Sequence, residues 1–157
     1  MAKDIWFHFP ELPVSINKLY FSRGGRKTLS SLGRAYKNKF ISGAGGASKQ
    51  KLMSFQPDQA QEYDLTIWCF LPYEDLYSTT FGVDKRVKFP FKTVDVDNYS
   101  KLAIDCISAL TGINDRGNFS VHLHKRESGP EGKRLVAHLK PLDLMEDPYG
   151  LEHEGAA

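Results

Sequence analysis

Apolar and polar positions change period several times along the chain, and each change predicts an element. Residues 3–9, KDIWFHF, are dense in aromatic side chains and closed by Pro10, which predicts a strand. Residues 10–18, PELPVSINK, are punctuated by proline and read as a loop, and SRGGRKT reads as a flexible basic turn. Over residues 31–42 Leu32, Ala35, Tyr36 and Phe40 fall near helical spacing, with Lys37 and Lys39 toward other faces. SGAGGASKQ is a Gly/Ser-rich connector. Residues 62–71, EYDLTIWCFL, are the clearest strand, with Leu65, Ile67 and Trp68 through Leu71 expected inside. Residues 72–94 form a long excursion carrying Lys85, Arg86, Lys88 and Lys92, with a short strand or hairpin expected around Thr79 to Phe91.

The second half is more regular. Tyr99, Leu102, Ala103, Cys106 and Leu110 share one side of a helix over residues 97–111, and Gly112 is a good C-terminal stop. NFSVHLHKRE then alternates Phe119, Val121 and Leu123 against Ser120, His122 and His124, as a half-buried strand does. SGPEGK is a turn and KRLVAHLK a returning strand, so residues 118–140 predict a β-hairpin. The order β–loop–α–β–excursion–α–β–β predicts an α+β (mixed α/β) class: a small layered domain with a mixed sheet, two main helices and a C-terminal β-hairpin. The expected domain is residues 1–140, followed by an acidic, frayed tail over residues 141–157.

A chain of 157 residues with 41% hydrophobic and 25% charged residues is long enough to bury a core without staples, and this argues against wholesale disorder. No apolar run approaches ~18 residues, so no membrane span is expected, and MAKDIWFHFP is too short and polar for a signal peptide. Cys69 and Cys106 lie far apart in apolar segments and read as reduced core residues of a cytosolic protein. The net charge of +2 hides an asymmetry. Residues 1–60 carry ten Lys/Arg against Asp4, Glu11 and Asp58, whereas residues 141–157 carry five acids and no Lys or Arg. A solvated surface accounts for this, and so does a phosphate-binding face, which the mixture of Tyr20, Phe21, Arg23, Arg26, Lys27, Arg34 and Lys37 with turn residues favours.

The segment TVDVDNYSKLAIDCISALTGINDR, residues 93–116, carries the candidate chemistry. At about 100° per residue Asp97, Lys101 and Asp105 stack along one polar stripe, opposite the apolar one, with Asp95 just before the helix and Asp115 just after it. Asp97 as a helix cap, or the stripe as an exposed ion-pair ladder, explains Asp97 and Lys101 but leaves Asp95 unexplained. Carboxylates placed together repel, and a metal ion is a common reason to tolerate it; oxygen donors without thiolates select Mg²⁺ or Mn²⁺. DVDNYSKLAIDC starts like a calcium-binding loop but has Ser100 in place of the glycine and Cys106 in place of the glutamate. RGGRKT lacks the spacing of a P-loop, and His122 and His124 share a strand face with no third ligand in view.

Two segments together resemble the RusA-like family of Holliday junction resolvases, endonucleases of phages and prophages. LPVSINKLY is similar to the family's P-x-S-x-N-x-x-Y signature, through Pro13, Ser15, Asn17 and Tyr20, with basic residues and the helical Arg34-Ala35-Tyr36 following. DVDNYSKLAIDCISALTGIND resembles the family's D-x-D-N-x-x-K core, with an Asp four residues after the Lys and a further acid about ten residues on. The resemblance implies that Asp95, Asp97 and Asp115 ligate Mg²⁺ (Mn²⁺ as a substitute) and that Lys101 is catalytic beside it. It also implies a homodimer that nicks a four-way junction at two symmetric positions in a bacterial host's cytoplasm or nucleoid. Asp105 is expected to orient Lys101 rather than bind metal. Lys101, near several carboxylates, is expected to stay protonated and to offset charge on the phosphate rather than act as a base. Asn17, Tyr20, Arg23, Arg26, Lys27, Arg34, Lys37, Lys85, Arg86 and Lys88 are the expected DNA contacts.

Two departures stand out: Asn114 precedes Asp115 where the family often has a second acid, and the excursion over residues 72–94 is long for it. Alternatives are a nuclease selective for flaps, forks or RNA, a non-catalytic DNA-binding protein of the same fold, and a metabolic Mg²⁺ hydrolase, which the basic first sixty residues disfavour.

Overall fold

The computed structural model describes residues 4–78 and 95–142. Their elements run β1 (Ile5–Phe9), α1 (Ile16–Leu19), β2 (Tyr20–Arg23), β3 (Arg26–Leu29), α2 (Ser31–Ser42), α3 (Lys49–Ser54), β4 (Tyr63–Leu71), α4 (Tyr73–Leu76), α5 (Asp97–Thr111), β5 (Asn118–Glu127) and β6 (Arg134–Pro141). The class is α+β, with a mixed four-stranded sheet in the order β1-β6-β4-β5 and a separate two-stranded one, β2-β3. No helix among the described residues is long and apolar enough to cross a membrane.

Strict alternation builds the large sheet. Along β4 Tyr63, Leu65, Ile67, Cys69 and Leu71 are buried, while Asp64, Thr66, Trp68 and Phe70 point to the opposite face and are only half-buried. The expectation that Trp68 through Leu71 are all inside is therefore corrected: a strand cannot turn consecutive side chains to one face. β1 contributes Ile5, Phe7 and Phe9 to the buried face, and β6 contributes Leu135, Ala137 and Leu139.

The C-terminal pair runs antiparallel and is joined by a short turn through Gly129–Glu131, as the sequence predicts, but the hairpin is split. β4 lies between the two strands, parallel to β5 and antiparallel to β6. The nine residues of β4, apolar along one face and through Trp68 and Phe70 on the other, are best satisfied in the interior of the sheet. Ser128 N–H donates to the Leu71 carbonyl at 2.7 Å, closing the turn around the end of β4.

Helices α2 and α5 cover the buried face. Phe40 and Tyr36 of α2 meet Phe7 and Phe9 of β1, the closest ring centroids being 5.0 Å apart between Phe9 and Phe40. Leu102, Ala103, Cys106 and Ile107 of α5 join the same cluster, whereas Tyr99 and Leu110 stay half-buried at its margin. Leu32, predicted on the apolar side of α2, is 60% exposed, because Gly33 is the first-turn residue that faces the core, against Leu19 and Leu29. Cys69 and Cys106 are free and buried, and burial pushes both thiols up to about 12.

Three stretches predicted as loops carry structure. The turn over SRGGRKT is the tip of the β2–β3 hairpin, with Gly24 and Gly25 at φ +58° and +76°. Positive φ at both central residues is the type I′ geometry whose twist suits a two-residue hairpin. The proline-punctuated stretch ends in α1, and the Gly/Ser connector runs into α3, where Ser48 accepts from Lys51 N–H. The predicted strand or hairpin around Thr79 to Phe91 and the tail beyond Leu142 lie outside the described residues.

Gly46, at φ +69°, lies directly under β1, where an added Cβ would overlap the His8 carbonyl. Gly24 has a similar φ but open space around it. Gly24→Ala is expected to cost about 1 kcal/mol from the left-handed backbone alone, and Gly46→Ala at least about 3 kcal/mol because overlap is added to strain. Urea denaturation of the two variants checks this; equal losses would contradict the close approach at Gly46.

Candidate active site on α5

The core fixes how α5 is rotated, and the rotation decides where its polar stripe faces. With Leu102, Ala103, Cys106 and Ile107 turned to the sheet, Asp97, Lys101 and Asp105 fall on the outer side. Val96 is the flanking residue, with helical backbone and no side-chain cap, so Asp97 is the first helical residue rather than the cap. Its carboxylate stands in the first turn, where the helix dipole favours an anion. The first backbone amides are taken up locally, Asn98 N–H by the Asp95 carbonyl and Tyr99 N–H by the Val96 carbonyl, each at 3.1 Å.

Lys101 Nζ donates to Asp105 Oδ1 at 2.8 Å, one turn along the helix. This hydrogen bond is the largest influence raising the Lys101 pKa above its ordinary value; partial burial opposes it, and electrostatic interaction with Asp105, Tyr20 and Asp115 adds to it. The ammonium therefore stays charged through neutral pH. Asp105 holds Lys101 in the way expected from the sequence, and the expected ladder stops there, because Asp97 takes no part in it.

The end of α5 brings Asp115 back toward the stripe. Gly112 adopts φ +74° and donates to the Ser108 carbonyl, while the Thr111 hydroxyl donates to the Ile107 carbonyl and accepts from Ile113 N–H. Asn114 Oδ1 accepts from Arg116 N–H at 3.1 Å, so the residue standing where an acid is often found secures the turn that carries Asp115. Asp105, Ser108, Asn114 and Asp115 line one open groove of about 530 Å³, and Lys37 of α2 borders it.

The two segments that carry the resemblance, some eighty residues apart in the chain, thus meet in space: α1 and α2 both pack against α5, and Tyr20 acts electrostatically on Lys101. The other expected contacts are arranged around this meeting point. Asn17 is exposed on α1; Arg23, Arg26 and Lys27 are exposed at the tip of the β2–β3 hairpin. Arg34 is exposed but donates to the Leu29 carbonyl at 3.1 Å, which ties it to the base of that hairpin. Tyr20 is half-buried, packed at the margin of the core, and Phe21 is exposed. Lys39, part of the same basic stretch, is held by Glu11 at 3.0 Å. Lys85, Arg86 and Lys88 lie outside the described residues.

Ser108 and Gln59 of the groove are residues that the sequence reading missed. Ser108 follows Asp105 by three positions, so the helical stripe contained the signal for it. Gln59 has no local signal: it reaches the groove from the loop before β4, where its side-chain amide donates to the Gly112 carbonyl at 3.1 Å.

Asp95, Asp97 and Asp115 are exposed and, among the described residues, carry no side-chain hydrogen bond or ion pair. As donors they fit a hard divalent cation in their chemistry, three free carboxylates at the two ends of one helix. Their spacing is not that of an assembled site: no group of three His, Cys, Asp or Glu side chains among the described residues stands close enough to hold a metal ion.

No protein-family model matches the chain, and no curated protein matches it.

The Lys101–Asp105 bond gives a direct prediction. Asp105→Asn is expected to lower the Lys101 pKa toward the ordinary 10.5, because it removes the largest cause of the upward shift and its charge together. NMR titration of the Lys101 side chain measures this, and an unmoved titration curve would show that Asp105 does not control the ammonium.

Proposed function

We propose that the protein is a Mg²⁺-dependent, structure-selective DNA endonuclease that acts as a homodimer and resolves four-way junctions by paired nicks. The observation that carries the reading is the meeting of the two motif segments: Lys101 is held by Asp105 within the electrostatic reach of Asp115 and Tyr20, beside a groove that Lys37 borders. A non-catalytic DNA-binding protein gains nothing from free carboxylates beside a phosphate-binding surface, since each one repels the backbone.

In this reading Asp95 and Asp97 would hold the divalent cation, which would supply Lewis-acid polarisation of a phosphoryl oxygen, while Asp115, the third ligand that the resemblance implies, stands beyond the far end of the fifteen-residue α5 and forms no assembled group with them. Hydrolysis forms a bond from water oxygen to phosphorus and breaks the bond to the 3′ oxygen. Lys101, charged at neutral pH, lies one turn from Asp97 and offsets the negative charge that develops on the phosphate. Asp105 positions that ammonium. Arg23, Arg26 and Lys27, at the end of a short exposed hairpin, contact backbone phosphates without reading bases, which suits a substrate recognised by shape.

The deciding experiment incubates purified protein with a labelled four-way junction, and separately with linear duplex, in Mg²⁺ and in EDTA. Paired symmetric nicks in the junction, dependent on Mg²⁺, are expected; flap or fork cleavage, or binding without cleavage, contradicts the reading. Asp97→Asn is expected to keep junction binding while abolishing cleavage, and normal cutting by that variant would refute the site. Neutralising Arg23, Arg26 and Lys27 together is expected to weaken binding and reduce the slope of log K against log salt by up to about 0.9 per lost phosphate contact. An unchanged slope would remove the hairpin from the interface.

A further inference from the structure

The four-stranded sheet turns one face to α2 and α5. On the other face, among the described residues, no strand side chain is fully buried. Strand register lays these side chains out in four rows. The two middle rows hold rings: Trp6, His138 and His122 in one, and His8, Trp68 and His124 in the other. The outer rows hold cations: Lys140 beside Asp64 at one end, Arg134 and Arg126 on either side of Phe70 at the other. Along a strand the outer rows stand about 20 Å apart.

The rings form a series. Trp6 lies 4.0 Å from His138 and 5.8 Å from Trp68, and Trp68 lies 5.6 Å from His124, every pair within 16° of parallel. The series crosses all four strands, includes both tryptophans of the chain and leaves Trp6 37% exposed. Val136 is the one aliphatic side chain in the four rows. A partner that covers this face therefore meets flat aromatic surfaces rather than an aliphatic patch. A nucleobase is itself such a surface, whatever its sequence.

The charges point the same way. Arg126 is exposed and has no acidic partner among the described residues. Its guanidinium donates to the Lys125 carbonyl at 2.8 Å and lies 3.4 Å from His124 Nδ1, at the end of the ring series. Lys140 is 51% exposed, with its ammonium 3.8 Å from Asp64. The acids are withdrawn or engaged. Asp64 is 13% exposed and lies 3.2 Å from His122, and Asp4 lies 3.0 Å from His138. Glu131 is taken by Arg134 at 3.2 Å, whose guanidinium sits 3.9 Å over the Phe70 ring. The unanswered charge on the face is positive, and it stands beside the rings. Rings for bases and cations for phosphates are the two parts of a single-strand site. Four-stranded sheets with aromatic side chains on an open face stack two or three bases in this way.

We propose that the open face of the four-stranded sheet binds single-stranded DNA, with unpaired bases stacked on the series of Trp6, His138, Trp68 and His124 and phosphates on Arg126 and Lys140. The site is separate from the groove on α5, which lies on the far side of the sheet. It deepens the endonuclease reading and rests on it only for the choice of DNA over RNA, because a branch point is where bases leave the duplex.

The test titrates the full chain with an oligothymidine in EDTA and follows tryptophan emission, which reports this face because both tryptophans lie in it. Saturable quenching is expected. An equal length of duplex is expected to leave the emission unchanged, since its bases already stack on one another. Anisotropy of a labelled oligothymidine gives the affinities of the variants. Trp6→Ala is expected to weaken binding at least about fivefold, and Trp6→Phe to keep most of the affinity. Arg126→Gln, which removes no ring, is expected to reduce the slope of log K against log salt by about 0.7. Urea denaturation confirms that each variant folds. Absence of quenching, equal quenching by duplex, a folded Trp6→Ala that binds like the wild type, or tighter binding of oligouridine than of oligothymidine overturns the proposal. A dimeric wild type that oligothymidine does not quench and that Trp6→Ala dissociates also overturns it, by assigning the face to protein. Junction cleavage is measured separately in Mg²⁺. Cleavage without quenching refutes this site alone, whereas quenching without cleavage refutes the endonuclease reading and leaves the site standing.

Discussion

The structure depends on the seating of α5 against the sheet. Burying Leu102, Ala103, Cys106 and Ile107 leaves the helix one rotation that keeps the core dry. That rotation sends Asp97, Lys101 and Asp105 outward, and the turn at Gly112 presents Asp115 at the groove that Asp105 also lines. The catalytic proposal therefore inherits its geometry from packing. A change on the apolar side that twisted α5 would misplace the polar side without touching it, since closely packed interiors transmit strain.

Elements with a strong period were legible in the sequence, and those whose partner lies far away were not. The strands at β1, β4, β5 and β6 and the helices α2 and α5 are found where alternation or helical spacing places them. The split of the C-terminal pair was invisible because nothing local in β5 or β6 says that β4, fifty residues earlier, will insert between them. The β2–β3 hairpin was missed for a different reason. Gly24-Gly25 is itself a type I′ signal, but the flanking Tyr-Phe-Ser-Arg and Arg-Lys-Thr-Leu are too polar to advertise strands. Leu32 shows the opposite error, a large apolar residue at nominal core spacing that is displaced because Gly33 makes the close contact.

The candidate site was legible to a similar degree. Lys101 and Asp105 could be paired from their spacing, and the structure joins them at 2.8 Å. Asp95, Asp97 and Asp115 could be named but not brought together, since helix spacing says nothing about the residues on either side of its ends. The three are free carboxylates at the two ends of one helix, and α5, packed against the sheet, holds those ends apart.

The central claim is that a hard cation binds at the carboxylates that open α5. Paramagnetic broadening of backbone amide signals by Mn²⁺ tests it most directly, because the effect falls steeply with distance from the ion. The account predicts that substoichiometric Mn²⁺ broadens the amides around Asp95 and Asp97 first, and that Asp97→Asn relieves it. No broadening there, or broadening restricted to acids elsewhere in the chain, would contradict it.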